Sequence, residues 1–149
     1  MKKAILAMAV ILVVGLTSAF ASSSEEINQR AVASFNSEFV NAKNVSWQNE
    51  KRFVKVTFTL MNQVMFGYYS NETGQLLAVV RNILSDQLPI NLLTNLKNNY
   101  GDHWVSSLFE VAKEDHTSYY TTIESADETL VLQSNGSNEW SVFKRTKKA

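Results

Sequence analysis

Two histidines hold most of the chemical options of this 149-residue chain. Asp102-His103, with Ser106 close behind, has the residue types of a nucleophilic triad, and Glu114-Asp115-His116 sets two carboxylates beside an imidazole. A triad needs its nucleophile, base and orienting acid to converge in space. Neighbours in sequence rarely do so, and no Gly-x-Ser-x-Gly elbow occurs. A metal site needs three or four convergent ligands, and neither cluster has supporting spacing. The paired carboxylates Glu25-Glu26 and Asp127-Glu128 fall at an expected helix start and an expected hairpin, where capping and solvation account for them. Five scattered glycines form no phosphate loop. With no cysteine, there is no thiolate nucleophile, no thiolate metal site and no disulfide framework. The residues therefore point to a non-enzyme with no catalytic residue, metal or cofactor.

The N-terminus points to export. Lys2 and Lys3 precede the apolar run Ala4 to Leu16, and Ala19-Phe20-Ala21 places small residues at −3 and −1 of a cleavage site. That apolar run is too short for the roughly 30 Å hydrocarbon core of a membrane. Residues 1–21 are thus expected to be a signal peptide cut between Ala21 and Ser22, with no membrane span after cleavage. The cut leaves 128 of the 149 residues, one domain over 22–149. No cysteine stands at the cut, so no lipid anchor of the bacterial lipoprotein type is expected, and the location is periplasmic or secreted. Without Lys2 and Lys3, 12 basic residues face 14 acidic ones, a net charge of −2 that gives nucleic acid no electrostatic footprint.

The elements that would position any site are two helices and two runs of strands. Ile27, Ala31, Phe35 and Phe39 recur every four residues, as do Leu88, Leu92, Leu96 and Tyr100 exactly 61 positions later. Ser23 to Glu26 has capping-box spacing before the first helix; Pro89 suits the first turn of the second and Gly101 its C′ position. Strands are expected at 45–47, 52–60, 63–70 and 75–82, and again at 105–111, 118–124, 128–134 and 139–146. The fold class is therefore α+β: two tandem repeats, about 24–83 and 84–147, each a helix with a four-stranded antiparallel sheet. The alternation phase does not transfer cleanly, because at an offset of 64 the row Val54, Val56, Phe58 falls on Ser118, Tyr120, Thr122.

A two-residue turn at Met61-Asn62 sets Thr57 opposite Phe66 and Phe58 opposite Met65. Regular pairing through the next hairpin then gathers Phe66, Tyr68, Leu77, Val79 and Arg81 on the face opposite Val54 and Phe58. A sheet covered on one side should be polar on the other. Aromatic residues with an arginine there mark a candidate partner-binding surface.

The run Asn41-Ala42-Lys43-Asn44-Val45-Ser46-Trp47 followed by Phe53-Val54-Lys55-Val56-Thr57-Phe58 resembles the first half of the PepSY-like, β-lactamase-inhibitor-like secreted proteins of bacterial envelopes. Asp86-Gln87-Leu88-Pro89, Ser118-Tyr119-Tyr120 and the run from Ala126 to Leu132 resemble the second half. The resemblance implies two αβ4 repeats whose sheets form a concave, protein-facing surface, and it implies no catalysis. The expected role is an exported, non-enzymatic binding protein with an unknown protein or peptide partner, possible inhibition included. A self-associating structural envelope protein and a small-ligand carrier are the alternatives, and monomer and dimer both stay open.

Overall fold

The computed structural model describes residues 26–134, 136 and 138–149. The expected signal segment and its cut at Ala21-Ser22 lie outside the described residues. The chain runs α1 (Gln29–Glu38), β1 (Lys43–Asn49), β2 (Phe53–Leu60), β3 (Gln63–Ser70), β4 (Leu76–Asn82), α2 (Ile90–Asn99), β5 (Trp104–Ala112), β6 (Thr117–Glu124), β7 (Glu128–Ser134) and β8 (Ser141–Lys147). A short 3-10 turn at Ser85–Gln87 precedes α2.

All eight strands form one antiparallel sheet in sequence order, so the four-stranded sheets expected of the two halves are joined edge to edge. The joining pair is β4–β5, with Val79 opposite Ala112, Val80 opposite Val111, Arg81 opposite Glu110 and Asn82 opposite Phe109. Unpaired backbone groups at two inner edges are costly, and pairing them makes a single sheet.

Both helices cover the same face. Ala31 and Phe35 of α1 pack on Val54, Val56, Phe58 and Tyr69, with Phe39 and Trp47 closing the sides. The Phe35 ring centroid lies 5.0 Å from that of Phe58, near edge-on, and that of Phe39 lies 4.7 Å from it. Leu92 and Leu96 of α2 pack on Leu108, Tyr119, Ile123, Leu130, Leu132 and Trp140. The Trp140 indole N–H donates to the Leu92 carbonyl at 3.0 Å, fixing α2 to the sheet by a directed bond as well as by apolar contact. In the second half the core row is Tyr119, Thr121 and Ile123, one residue out of phase with the row expected from the first half.

The first cap differs from expectation. Helix α1 starts at Gln29, and Asn28 is its N-cap, its side-chain oxygen accepting from the Arg30 N–H at 2.9 Å. Glu26 lies before the helix, and Ser23, the other member of the expected capping box, lies outside the described residues. The Asn28 amide also donates to the Asn71 carbonyl at 2.6 Å, which ties the helix start to the β3–β4 turn. In that turn Gly74 adopts φ +75°, and a Cβ there would lie 2.4 Å from the Arg30 Cβ. The turn therefore needs glycine twice over, for its dihedral and for its closeness to α1.

Candidate functional site

The helix-free face of the sheet is built by alternation and by two bulges. The β2–β3 hairpin turns at Met61 (φ 49°) and Asn62 (φ 63°), a geometry that sets the strands in the expected register. Thr57 accordingly faces Phe66, Lys55 faces Tyr68, and Phe58 faces Met65 on the helix side.

Beyond the next hairpin the register departs from expectation. Tyr69 pairs with Leu76 and Tyr68 with Ala78, leaving Leu77 as an extra residue. This bulge shifts everything downstream by one, and a one-residue shift exchanges the two faces. Ala78 and Val80 continue the helix-free face, with Leu77 packed beside them. Val79 and Arg81, expected there, pair with Gly67 and Met65 on the helix-bearing face instead. Arg81 binds Glu110 at 2.8 Å, and that bond holds its guanidinium more firmly protonated than usual. Of the five residues expected on the candidate face, Phe66, Tyr68 and Leu77 are there.

The face continues into the second half of the chain. Phe53, Tyr68, Ala78, Val80, Val111 and Tyr120 form one buried cluster, with Phe66, Leu77 and Phe109 against it. Large and small side chains are mixed across these strands, Leu77 of β4 and Phe109 of β5 packing against the cluster as well. The central strands β4 and β5 present Ala78, Val80 and Val111, while the flanking strands present Phe66 and Tyr68 on one side and Tyr120 on the other, with Phe143 of β8 edge-on to Tyr120. The small residues form the floor of a trough that their own larger neighbours close over, so of this cluster the face presents chiefly the partly buried Phe66, Leu77 and Phe109. Ala78 is 0% exposed, Val111 1% and Val80 4%, although no described helix covers them. Tyr68 is itself buried and Phe66 half-buried, so Phe66 is the more accessible aromatic of that wall.

Polar groups line the walls. The Lys55 ammonium stands 4.8 Å from the Phe66 ring centre, within cation–π range. Burial pulls the Lys55 pKa down, and Glu50 in the β1–β2 turn opposes the shift. Burial, with a smaller push from Glu50, raises the Tyr68 phenol well above its ordinary range. The Tyr120 hydroxyl accepts from Gln133 at 2.8 Å. The residues that sequence reasoning missed are Phe53, Ala78, Val80, Val111, Tyr120 and Phe143. The alternation of Phe109 and Val111 with Leu108 was a readable signal for β5, whereas the bulge that brings in Ala78 and Val80 left none.

Beyond the Val79–Ala112 pair, β4 and β5 part. The gap is a cleft of about 330 Å³ lined by Leu76, Leu77, Ala78, Val79, Ala112, Lys113 and Glu114. Its volume is near the lower limit of small-ligand sites.

The histidines stay apart from the trough's cluster. His103 Nδ1 lies 2.7 Å from Asp102, a bond that lowers the Asp102 pKa, and Nε2 lies 3.5 Å from Glu128, which also meets Arg145 at 3.3 Å. The two carboxylates thus contact opposite edges of one ring. The Ser106 hydroxyl donates to the Thr122 carbonyl at 3.2 Å rather than to an imidazole. His116 Nδ1 contacts Asp115 at 2.6 Å, and burial of the neighbouring Lys113 lowers the pKa of its ammonium. Among the described residues no cluster of three or more His, Asp or Glu is arranged to hold a metal, and no helix is long and apolar enough to cross a membrane.

No protein-family model matches the sequence, and no curated protein does. Solved structures do match in fold. A DUF2874 family protein from Bacteroides uniformis superposes with a TM-score of 0.71 at 10% identity, covering 82% of this chain and 90% of its own. A BLIP-like protein from Bacteroides fragilis gives 0.71 at 12% identity, covering 85% and 89%. A Bacteroides eggerthii protein provisionally described as periplasmic gives 0.71 at 8% identity, covering 83% and 90%. The chain therefore has an α+β fold of helices on an antiparallel sheet, similar to that of a BLIP-like protein. At such identities the likeness is one of fold and assigns no residue a role.

Proposed function

We propose that the protein is an exported, non-enzymatic binding module that holds a protein or peptide partner on the helix-free face of its sheet. The observation that carries this reading is the apolar cluster of that face: partly buried Phe66, Leu77 and Phe109 over buried Tyr68, Ala78, Val80, Val111 and Tyr120. Aromatic side chains around a desolvated centre are what interface centres favour. Export rests on the N-terminal Lys2-Lys3, apolar run and Ala19-Phe20-Ala21, and the likeness to a protein provisionally described as periplasmic agrees with it. The fold likeness to a BLIP-like protein fits a partner-binding role, and enzyme inhibition would be one form of it. In this reading the two helix-plus-four-strand halves are copies of one unit, fused edge to edge so that the trough spans their junction.

Site-specific photo-crosslinking in the native envelope tests the reading. A benzophenone side chain at Thr57, opposite Phe66, should link to a second protein, whereas the same probe at Ala33 on the exposed side of α1 should not. Equal yields from both positions contradict the proposal. A link from Thr57 to another copy of this chain, with a stable dimer in light scattering, would favour the self-associating reading instead.

A further inference from the structure

The two halves of the sheet are paired over only part of the length of β4. The register runs from Asn82–Phe109 to Val79–Ala112, and Leu76, Leu77 and Ala78 have no partner on β5. Two local features part the strands there. The bulge at Leu77 bends β4, and Lys113 begins the turn into β6, its N–H donating to the His116 carbonyl at 2.9 Å. The cleft of about 330 Å³ between them has Leu76, Leu77, Ala78, Val79 and Ala112 in its lining, with two charged residues, Lys113 and Glu114. Glu114 is exposed and keeps its hydration, whereas Lys113 is half-buried. Burial lowers the Lys113 pKa; Asp115 opposes the shift, yet its own bond is to His116 at 2.6 Å. A half-buried ammonium beside an apolar cleft gains more from an incoming anion than a hydrated carboxylate gains from a cation.

We propose that this cleft is a small-ligand site for an alkyl carboxylate, its chain among Leu76, Leu77, Val79 and Ala112 and its head group beside the Lys113 ammonium. The proposal does not rest on the reading of the helix-free face as a partner surface, although Leu77 borders both. A volume near the lower limit of ligand sites suits one short chain rather than a dinucleotide or other large ligand. The apolar lining supplies affinity that grows with each methylene buried. The ammonium supplies the preference for an anionic head, through a charge-assisted hydrogen bond. A bound carboxylate in turn favours the charged form of the amine, so it offsets the effect of burial on Lys113.

The test is an NMR titration of the isotope-labelled exported protein with butanoate, hexanoate and octanoate as probes. Amide shifts should concentrate at Leu76 to Val79 and at Ala112 to Glu114. Each added methylene should tighten binding by about two- to fourfold. Octanol and octylamine should bind about tenfold more weakly than octanoate. In Lys113→Met, shown to be folded by circular dichroism, octanoate should lose its advantage over octanol. Octylamine bound as tightly as octanoate, or an unchanged preference in Lys113→Met, overturns the anionic head group. Affinity that ignores chain length overturns the apolar chain. Shifts that gather at Phe66 and Phe109 instead of the cleft overturn the site, as does the absence of any localised shift at millimolar octanoate.

Discussion

The guanidinium of Arg81 on β4 and the carboxylate of Glu110 on β5 meet at 2.8 Å across the strand pair that joins the two halves of the sheet. The junction has four paired positions, and the bond reinforces it from the helix-bearing side while the trough crosses it on the other. Gln63 on β3 extends the link, its side-chain oxygen 3.4 Å from Arg81 and its amide donating to the Asn82 carbonyl at 2.8 Å.

Because the pair is part-exposed, its removal should cost little. Glu110→Gln should lower unfolding free energy by about 1 kcal/mol in urea titration, between the values for exposed and buried pairs. Arg81→Ala should leave crosslinking from Thr57 intact, since the bulge at Leu77 turns Arg81 away from the trough. Loss of crosslinking in a folded Arg81→Ala protein would place the arginine in the binding surface after all.

The Tyr69 hydroxyl is buried in the α1 core with no hydrogen-bond partner among the described residues. Tyr69→Phe should therefore stabilise the protein, by about 1 kcal/mol, because it removes a desolvated polar group without leaving a cavity. Burial, and to a lesser degree Glu38, raises the Tyr69 pKa above its ordinary 10.0. A raised tyrosine pKa gives stability that is present below pH 10 and lost as pH rises beyond it. Urea titrations at pH 8 and pH 11 should show a smaller alkaline loss in Tyr69→Phe than in the unmodified protein.

The turns give opposed predictions. Gly74→Ala should destabilise by about 2–3 kcal/mol, since the new Cβ adds strain at φ +75° and meets Arg30. Met61 is exposed and left-handed at φ 49°, so Met61→Asn should stabilise by about 0.5–1 kcal/mol. Thermal melts of the two variants should move in opposite directions.

Acid titration has a defined sign at Glu124. The bond from Lys148, with a smaller effect of the nearby Ser106 hydroxyl, holds the carboxyl below its ordinary 4.5, so its contribution is present above pH 4.5 and lost as pH falls through the lowered value. In Lys148→Met the NMR midpoint of the Glu124 carboxyl should rise toward 4.5. An unchanged midpoint would mean that the lysine contact at 3.0 Å does not persist in solution.

Much of the fold was legible because alternation and turn chemistry are local. Met61-Asn62 fixed the Thr57–Phe66 and Phe58–Met65 pairs, and the expected spans 63–70 and 128–134 coincide with β3 and β7. Helix positions keep an offset of 61, Ala31 to Leu92 and Phe35 to Leu96, while sheet positions drift to 65, Val54 to Tyr119 and Met65 to Leu130. That drift explains why the core rows failed to align at a single offset. The bulge at Leu77 was not legible, since Leu76, Leu77 and Val79 satisfy alternation equally well in either register. The β4–β5 pairing and the burial of Tyr68 also escaped, because both depend on contacts between the two halves of the chain.

The most direct measurement is Phe66→Ala, with folding and partner capture read on the same protein and Phe58→Ala beside it. Phe58 is 0% exposed under α1 and should cost about 3–5 kcal/mol of unfolding free energy. Tyr68→Ala should also be costly, because Tyr68 is buried despite lying on the helix-free face. Half-buried Phe66 should cost about 1–2 kcal/mol in stability, yet weaken binding by about 1–3 kcal/mol and strip most of the crosslinking from Thr57. If Phe66→Ala unfolds the protein as severely as Phe58→Ala, or leaves crosslinking at full yield, the helix-free face is not the binding surface.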